Sequence, residues 1–476
     1  MISRLEISGF KTFTGFSIDF MPFTVIAGTN GSGKSNLFDA IQLLGSIADT
    51  DLQSAFDVQR GEARELFTLR PDGTYATEMR FAVELLLNKQ VQDKFGGQAT
   101  LKYTRLRYEV QIQRLTDSRG FDRLTVAYER LVPIAKATDE WFKDNTPRGG
   151  ADVWRPSTHG GATPFINTRD SDTTLNGAAL KPQQEIYMRQ DGTRGGRPSP
   201  ALELEQTVLS SVTKTDFPHV FAAKQEMLNW RFLQLNPVEL RKPSSFQSNG
   251  KGIVAADGAN LPAALARMMA DDHGLLHRLS REVHRLLPSI RQLELERDEP
   301  KQQHVLYATM SDGRKFSSRV LSEGTLRLIA LCAFKYDDRY EGVLCFEEPE
   351  NGIHPYRLHN MIELLRDLAT DFSDPSEPVL RQLLVNTHSP GLLAALVAIE
   401  QETPFTALFA SLVPRTAPNT LPSLHTVMLP ISFSRQQALD FDGGSISRYT
   451  LQEAINYLQS EDVEKAIEQL TTIQQA

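Results

Sequence analysis

A chain of 476 residues, 40% hydrophobic and 23% charged, is long enough for two or three folded units with well-buried cores. No apolar stretch reaches the ~20 residues that cross a bilayer, and Met1 to Glu6 lacks the apolar run of a signal peptide, so no membrane span and a cytoplasmic location are expected. A net charge of -8 argues against a globally basic nucleic-acid coat, and two cysteines, Cys332 and Cys345, each in an apolar run, predict buried reduced thiols rather than a disulfide framework or a zinc site.

In chain order, short strands are predicted at Arg4 to Ile7, Phe16 to Phe20 and Thr24 to Ala27, punctuated by Gly9 and Gly15. The third feeds Gly28-Thr29-Asn30-Gly31-Ser32-Gly33-Lys34-Ser35, which fits the phosphate-loop pattern G-x-x-x-x-G-K-[ST] at every fixed position. In that pattern backbone N–H groups, including those of Asn30, Gly31, Ser32, Gly33 and Asn36, close around the phosphates. Lys34 reaches the β and γ oxygens, and the Ser35 hydroxyl ligates Mg²⁺. Helical spacing from Asn36 to about Leu44 points a helix N-terminus at the same phosphates, so ATP with Mg²⁺ is the expected ligand.

A meander of strands follows at Glu78 to Leu87, Leu101 to Gln113 and Arg123 to Leu131, predicting an antiparallel layer. Residues 136 to 200 turn rich in Gly, Pro, Thr, Asp and Asn and read as loops; Ala201 to Asn229 and Leu261 to Leu287 then show helical spacing. Strands resume at Ile290 to Glu296 and His304 to Met310. Beyond Glu400 there is one clear strand, His425 to Pro430, and a terminal helix from Leu451 to Leu470. The implied units are 1-135, an N-terminal lobe; 136-288, a loop-rich and helical insertion; 289-400, a C-terminal lobe; and 401-476, an extension. Candidate basic positions are Lys102, Arg105 and Arg107, then Arg278, Arg281, Arg285 and Arg291, with an ordinary solvated face as the alternative.

The run Val343-Leu344-Cys345-Phe346-Glu347-Glu348 is a buried strand ending in two acids, as in a Walker B element. Glu347 would hold Mg²⁺ and Glu348 would orient and polarise the attacking water. Upstream, Leu321-Ser322-Glu323-Gly324-Thr325 resembles the signature motif of ABC-type ATPases, in which the serine and glycine complete the γ-phosphate site of the other subunit; on its own, Ser322 reads as a helix N-cap. Downstream, the apolar strand Gln382 to Asn386 leads into Thr387-His388-Ser389-Pro390, where His388 fits the switch histidine of that class.

Ile7-Ser8-Gly9-Phe10-Lys11-Thr12-Phe13 and Gly31 to Ile41 resemble the N-terminal head segment of SMC and RecF proteins. Glu348-Pro349-Glu350-Asn351-Gly352-Ile353-His354-Pro355 and Thr387 to Pro390 resemble stand-alone SMC-like ATPases, including the ATPase components of bacterial anti-phage systems such as Septu, PARIS and OLD. The resemblance implies an α/β P-loop fold of ABC/SMC-head type: a mixed, largely parallel core sheet, an antiparallel β layer and a helical insertion. It also implies an ATPase dimerising around two ATP molecules, with Lys34, Ser35, Glu347, Glu348 and His388 from one chain facing Ser322 and Gly324 of the other.

For the Q-loop glutamine of that family, Gln53 and Gln59 are candidates, and Arg60 for an arginine near the phosphates; Asn351 to His354 occupies the D-loop position. Two outputs remain open: a sensor or scaffold for a separately encoded nuclease or toxin in defence, or a RecF-like ATPase clamping DNA. A built-in nuclease would need Asp440-Phe441-Asp442 as a Toprim-like D-x-D, without an upstream acidic motif to complete it.

Overall fold

The computed structural model describes residues 1–460 apart from 117–118, 121, 147–150, 157–162, 171–173, 176–177, 180–183, 190–196, 202, 249–253, 375–378, 401–403, 416–422, 434–440, 443–444 and 447. Its centre is a seven-stranded sheet in the order Arg231–Leu233, Gly342–Glu347, Arg381–Thr387, Phe23–Gly28, Thr406–Arg415, Ser423–Ser432 and Tyr449–Thr450. The first five strands run parallel and Ser423–Ser432 returns antiparallel. A parallel sheet is covered on both faces, so its strands read as unbroken apolar runs. Here Val343, Cys345 and Leu384 enter one core, while Leu344, Phe346, Leu383 and Val385 enter the other.

The first core lies between this sheet, the helix Lys34–Ile47 and an eight-stranded antiparallel sheet. That second sheet runs Arg197–Pro200, Gln184–Met188, Ile166–Asp170, Asp122–Pro133, Arg105–Thr116, Glu78–Leu86, Ile2–Ser8, Phe16–Asp19. Leu5, Ile7, Phe81, Val83, Tyr108 and Val110 face inward with the period of two that a half-buried sheet requires. The second core packs the helices Leu261–Asp271, Leu275–Leu286, Glu323–Tyr336 and Leu358–Arg366 on the opposite face. Beside them Ile290–Asp298 and Gln303–Met310 belong to a separate four-stranded antiparallel sheet, not to the parallel one.

Several expectations are corrected. Residues 136–200 contribute three strands to the antiparallel sheet, with Ile166 and Ile186 fully buried, as well as loops. The helix expected over Ala201 to Asn229 shrinks to Pro218–Leu228. Upstream of it the Glu129 carboxylate accepts the N–H groups of Val208 (2.6 Å) and Leu209 (2.8 Å), and a side-chain acceptor for backbone donors competes with helix formation. The helix expected over Leu261 to Leu287 breaks in two where Asp272 Oδ1 accepts the N–H of Gly274. A strand at Thr406–Arg415, beside the phosphate-loop strand, was not anticipated. The terminal helix runs to residue 460, and the rest of its expected span lies outside the described residues.

Both cysteines are buried free thiols, which burial makes harder to ionise. No helix among the described residues is long and apolar enough to cross a membrane.

Glu129 carries a pH consequence. Burial raises its carboxyl from 4.5 to about 7, with the Leu209 and Val208 N–H groups pulling the other way. A folded-state value above the unfolded one means that the fold prefers the proton-bound form. The contribution is therefore full below 4.5 and declines as pH rises through about 7. Thermal melts of Glu129→Gln should show the variant gaining on the wild type as pH goes from about 5 to about 8. A pH-independent difference would refute the assignment.

Candidate active site

The phosphate loop takes its shape from two positive-φ glycines, Gly31 (φ 78°) and Gly33 (φ 95°), the latter capping the helix Lys34–Ile47. Only glycine enters that region freely. Gly33 is doubly constrained, since a Cβ there would lie 2.0 Å from Thr426 Oγ1. Thr426, from the antiparallel strand Ser423–Ser432, braces the loop: its hydroxyl donates to the Ser32 carbonyl (3.2 Å) and meets Thr12 Oγ1 at 2.7 Å, and Thr12 in turn accepts Asn36 Nδ2 at 3.0 Å. Gly33→Ala should abolish nucleotide binding and lower the melting temperature, since the left-handed backbone alone costs about 1–2 kcal/mol with a Cβ present. Calorimetric titration with ATP and a thermal melt check both.

Lys34 is buried at 6% exposure, and its Nζ donates to the carbonyls of Gly28 (2.7 Å) and Thr29 (2.8 Å). A cleft of about 340 Å³ opens in front of it, lined by Asn30, Gly31, Lys34, Ser35, Glu347 and Glu348, with Gly33, Asn36, Gln234, Arg327, Asn351 and Asn386 completing the wall. Glu347 ends its strand with Oε1 buried and without a hydrogen-bond partner, as is Asn386 Oδ1 on the adjoining strand. Orphaned oxygens facing a phosphate loop suit a hard cation, and Mg²⁺ needs only one or two protein oxygens when phosphates and waters supply the rest. Among the described residues no group of three or more His, Cys, Asp or Glu could form a closed metal cage.

Glu348 has φ 48°, a left-handed backbone in a non-glycine residue. Its N–H donates to the Asn386 carbonyl (2.8 Å), Oε1 lies 2.6 Å from His388 Nδ1, and Oε2 accepts Asn351 Nδ2 at 2.8 Å. Two strand ends, Gly342–Glu347 and Arg381–Thr387, and the 351–352 turn thus hold one carboxylate at the cleft. Nearby, burial raises the carboxyl of Glu350, which bonds Thr387 Oγ1.

Ser322 and Gly324 do not line this cleft. Ser322 caps the helix Glu323–Tyr336, accepting the Thr325 N–H at 3.3 Å. A Cβ on Gly324 would sit 2.2 Å from the Gly352 carbonyl, so the signature turn is interlocked with the 351–352 turn of the same chain.

The Q-loop candidates are misplaced. Gln53 bonds Asp57 on the surface, Gln59 is buried away from the cleft lining, and Arg60 pairs with Asp39 at 3.2 Å. The glutamine at the cleft is Gln234, immediately after Arg231–Leu233, the strand that pairs in parallel with Gly342–Glu347. Its signal in the sequence is a short Phe232-Leu233 strand ending in Gln.

Of the basic positions, Arg105 is buried against Asp139 and Arg107 is held among Glu6, Glu84 and Glu109. Arg278 pairs with Asp272, and Arg285 with Glu282 and Glu363. Asp440 lies outside the described residues, as do the side chains of Phe441 and Asp442.

Residues 1–57 match the family model described as "RecF/RecN/SMC N terminal domain", and residues 203–394 match "AAA domain, putative AbiEii toxin, Type IV TA system". The DNA replication and repair protein RecF of Vibrio campbellii is 33% identical over 158 residues, 32% of this chain and 42% of that protein. The chromosome partition protein Smc of Synechocystis is 55% identical over 42 residues, 8% of this chain and 4% of that protein. The chain spans less than half the length of the RecF relatives it matches. A solved Smc head bound to the C-winged helix domain of ScpA aligns over 90% of this chain and 98% of that one, at 14% identity and a TM-score of 0.47. Through residues 1–57 and 203–394, the chain is similar to SMC/RecF-like ABC-type ATPases.

Proposed function

We propose that the protein binds ATP with Mg²⁺ in this cleft, closes head to head with a second copy around two nucleotides, and uses hydrolysis to reopen. The observation that carries the reading is the division of the motifs. Lys34, Ser35, Glu347 and Glu348 converge on one cleft, whereas Ser322 and Gly324 stand outside it on an interlocked turn. One chain places its signature residues outside its own cleft, and a second chain would supply them there.

Lys34 would leave its loop carbonyls to neutralise the β and γ oxygens, and the backbone N–H groups from Asn30 to Asn36 would cradle them. Ser35 and Glu347 are the oxygen donors that would hold Mg²⁺, which supplies charge neutralisation during phosphoryl transfer. Glu348 would orient and polarise the attacking water, with His388 positioning both Glu348 and the γ-phosphate. Gln234 would tie the cation site to the helical side of the molecule. Gln234→Ala should slow hydrolysis about tenfold or more while ATP binding persists, measured by phosphate release and by titration. Loss of binding together with turnover would remove that role.

The output is a cytoplasmic switch: ATP favours the closed dimer, and differential affinity for open and closed states does the work. We assign it as sensor or scaffold to a separately encoded nuclease or toxin in anti-phage defence, on the resemblance of the Glu348 to Pro355 and Thr387 to Pro390 segments. The RecF match favours a second reading, a DNA-maintenance ATPase. Copurification with an effector encoded beside it supports the first; ATPase stimulation by duplex DNA that fades with salt supports the second.

A further inference from the structure

Many surface arginines among the described residues are neutralised by a neighbouring carboxylate, as with Arg4, Arg80, Arg107, Arg285 and Arg314. Several exposed cations among the described residues make no such pair, Lys136, Arg281, Arg291 and Arg319 among them, and four more are lysines that lie together. Lys89, Lys94, Lys102 and Lys214 are all exposed, and none has an acidic partner among the described residues. They gather on one small feature: the hairpin in which Gln90–Gln92 pairs with Gln98–Thr100, and the segment packed against it.

The tip of this hairpin is built, not loose. Asp93 Oδ1 accepts the N–H groups of Phe95 (2.9 Å) and Gly97 (2.8 Å), and Oδ2 accepts the N–H and hydroxyl of Thr215, both at 3.0 Å. These bonds, the Thr215 N–H first, hold the Asp93 carboxyl below its usual range, so its charge is committed to the fold. Gly96 turns the tip with φ 87°, and a Cβ on Gly97 would strike Asp93 and Thr215 at 2.6 Å. The rigid tip displays Phe95 at 74% exposure, with Lys214 Nζ 5.1 Å from its ring centroid. At the base, the Lys89 carbonyl accepts the Leu101 N–H at 2.8 Å, which brings Lys89 and Lys102 to the same end. Acids near the hairpin include Asp216, next to Thr215, and Glu341, whose Oε2 accepts Asn88 Nδ2 at 3.0 Å beside Lys89.

An aromatic face held out by a stapled turn and surrounded by unneutralised ammonium groups is costly to keep in a chain of net charge -8 unless something covers it. Phosphates answer the lysines, and a base face answers Phe95; the two occur together in an unpaired nucleic-acid strand, where every base offers a π-face. We propose that the Gln90–Thr100 hairpin, with Lys214, is a docking site for single-stranded nucleic acid. Lys89, Lys94, Lys102 and Lys214 contact backbone phosphates, and Phe95 stacks on a base. None of these residues lines the nucleotide cleft, so the site stands whether or not the ATPase reading holds.

Fluorescence anisotropy with a labelled oligothymidylate tests this on the full chain, without nucleotide and across a salt series. Wild type should bind. Lys94→Gln with Lys214→Gln should weaken binding at least tenfold and flatten the salt slope by about 1.4, since each single-strand phosphate contact contributes about 0.7. Phe95→Ala should weaken binding about tenfold with the slope unchanged, and Phe95→Trp should restore it. All these side chains are exposed, so unchanged thermal melts verify the fold. Absence of wild-type binding at low salt, or binding indifferent to these variants, overturns the proposal. So does equal binding of duplex or heparin with no Phe95 effect, which would mark an ion-exchange surface such as an acidic protein would use.

Discussion

Glu348→Gln is expected to bind ATP, fail to hydrolyse it, and accumulate as a dimer. The carboxylate is held at both oxygens, by His388 Nδ1 and Asn351 Nδ2, and its backbone is fixed at φ 48° by the N–H bond to the Asn386 carbonyl. Glutamine has the same length and can meet His388 and Asn351 with its amide, so the change removes charge and basicity while leaving shape. Positioning and polarising a nucleophile is worth about 10²–10⁴ in rate, which sets the expected loss of phosphate release. Since hydrolysis would be what reopens the dimer, light scattering after size exclusion with ATP should show the dimer persisting in the variant and transient in wild type. Full turnover by Glu348→Gln would remove Glu348 from its role. A dead variant that stays monomeric with ATP bound would leave hydrolysis in place and defeat the dimer.

Mixing two inactive proteins should restore activity. Lys34→Ala disables the phosphate loop of its own cleft, and Ser322→Arg obstructs the signature turn, which lies outside that cleft. If each site draws its loop from one chain and its signature from the other, a mixed dimer contains one site in which both are wild type. Random pairing at equal concentrations should then recover about a quarter of wild-type sites. Ser322 caps a helix, and losing the cap costs about 1 kcal/mol, so a melt of Ser322→Arg must show it folded before mixing. Recovery near zero from two folded proteins would place the signature's work in its own chain.

How legible the site was depended on how local its parts are. The phosphate loop is a contiguous run whose glycines and lysine act through their own backbone, so Gly28 to Ser35 declared it outright, and the acids at Glu347 and Glu348 were marked by the apolar strand before them. His388 follows an apolar strand in the same way; it meets Glu348 but is not part of the cleft lining. Gln234 was not legible, because its position follows from a three-residue strand pairing beside Gly342–Glu347 across more than a hundred residues of chain. Thr426 was equally hidden: what makes it matter is the missing Cβ of Gly33, a steric fact between residues far apart in sequence.

The same division holds for the fold. Local periodicity and spacing determined the antiparallel strands Glu78–Leu86, Arg105–Thr116 and Asp122–Pro133, the phosphate-loop strand and helix, and the chemistry of the motifs, because backbone geometry and side-chain alternation are properties of adjacent residues. Only the tertiary structure decided the rest. It turned part of a Gly- and Thr-rich stretch into sheet, cut one expected helix short with the buried Glu129 carboxylate, set Thr406–Arg415 beside the phosphate loop, and spent Arg105 and Arg107 on internal ion pairs. Those outcomes depend on which distant groups meet in a desolvated interior, where an unpaired donor or charge costs more than any local preference supplies.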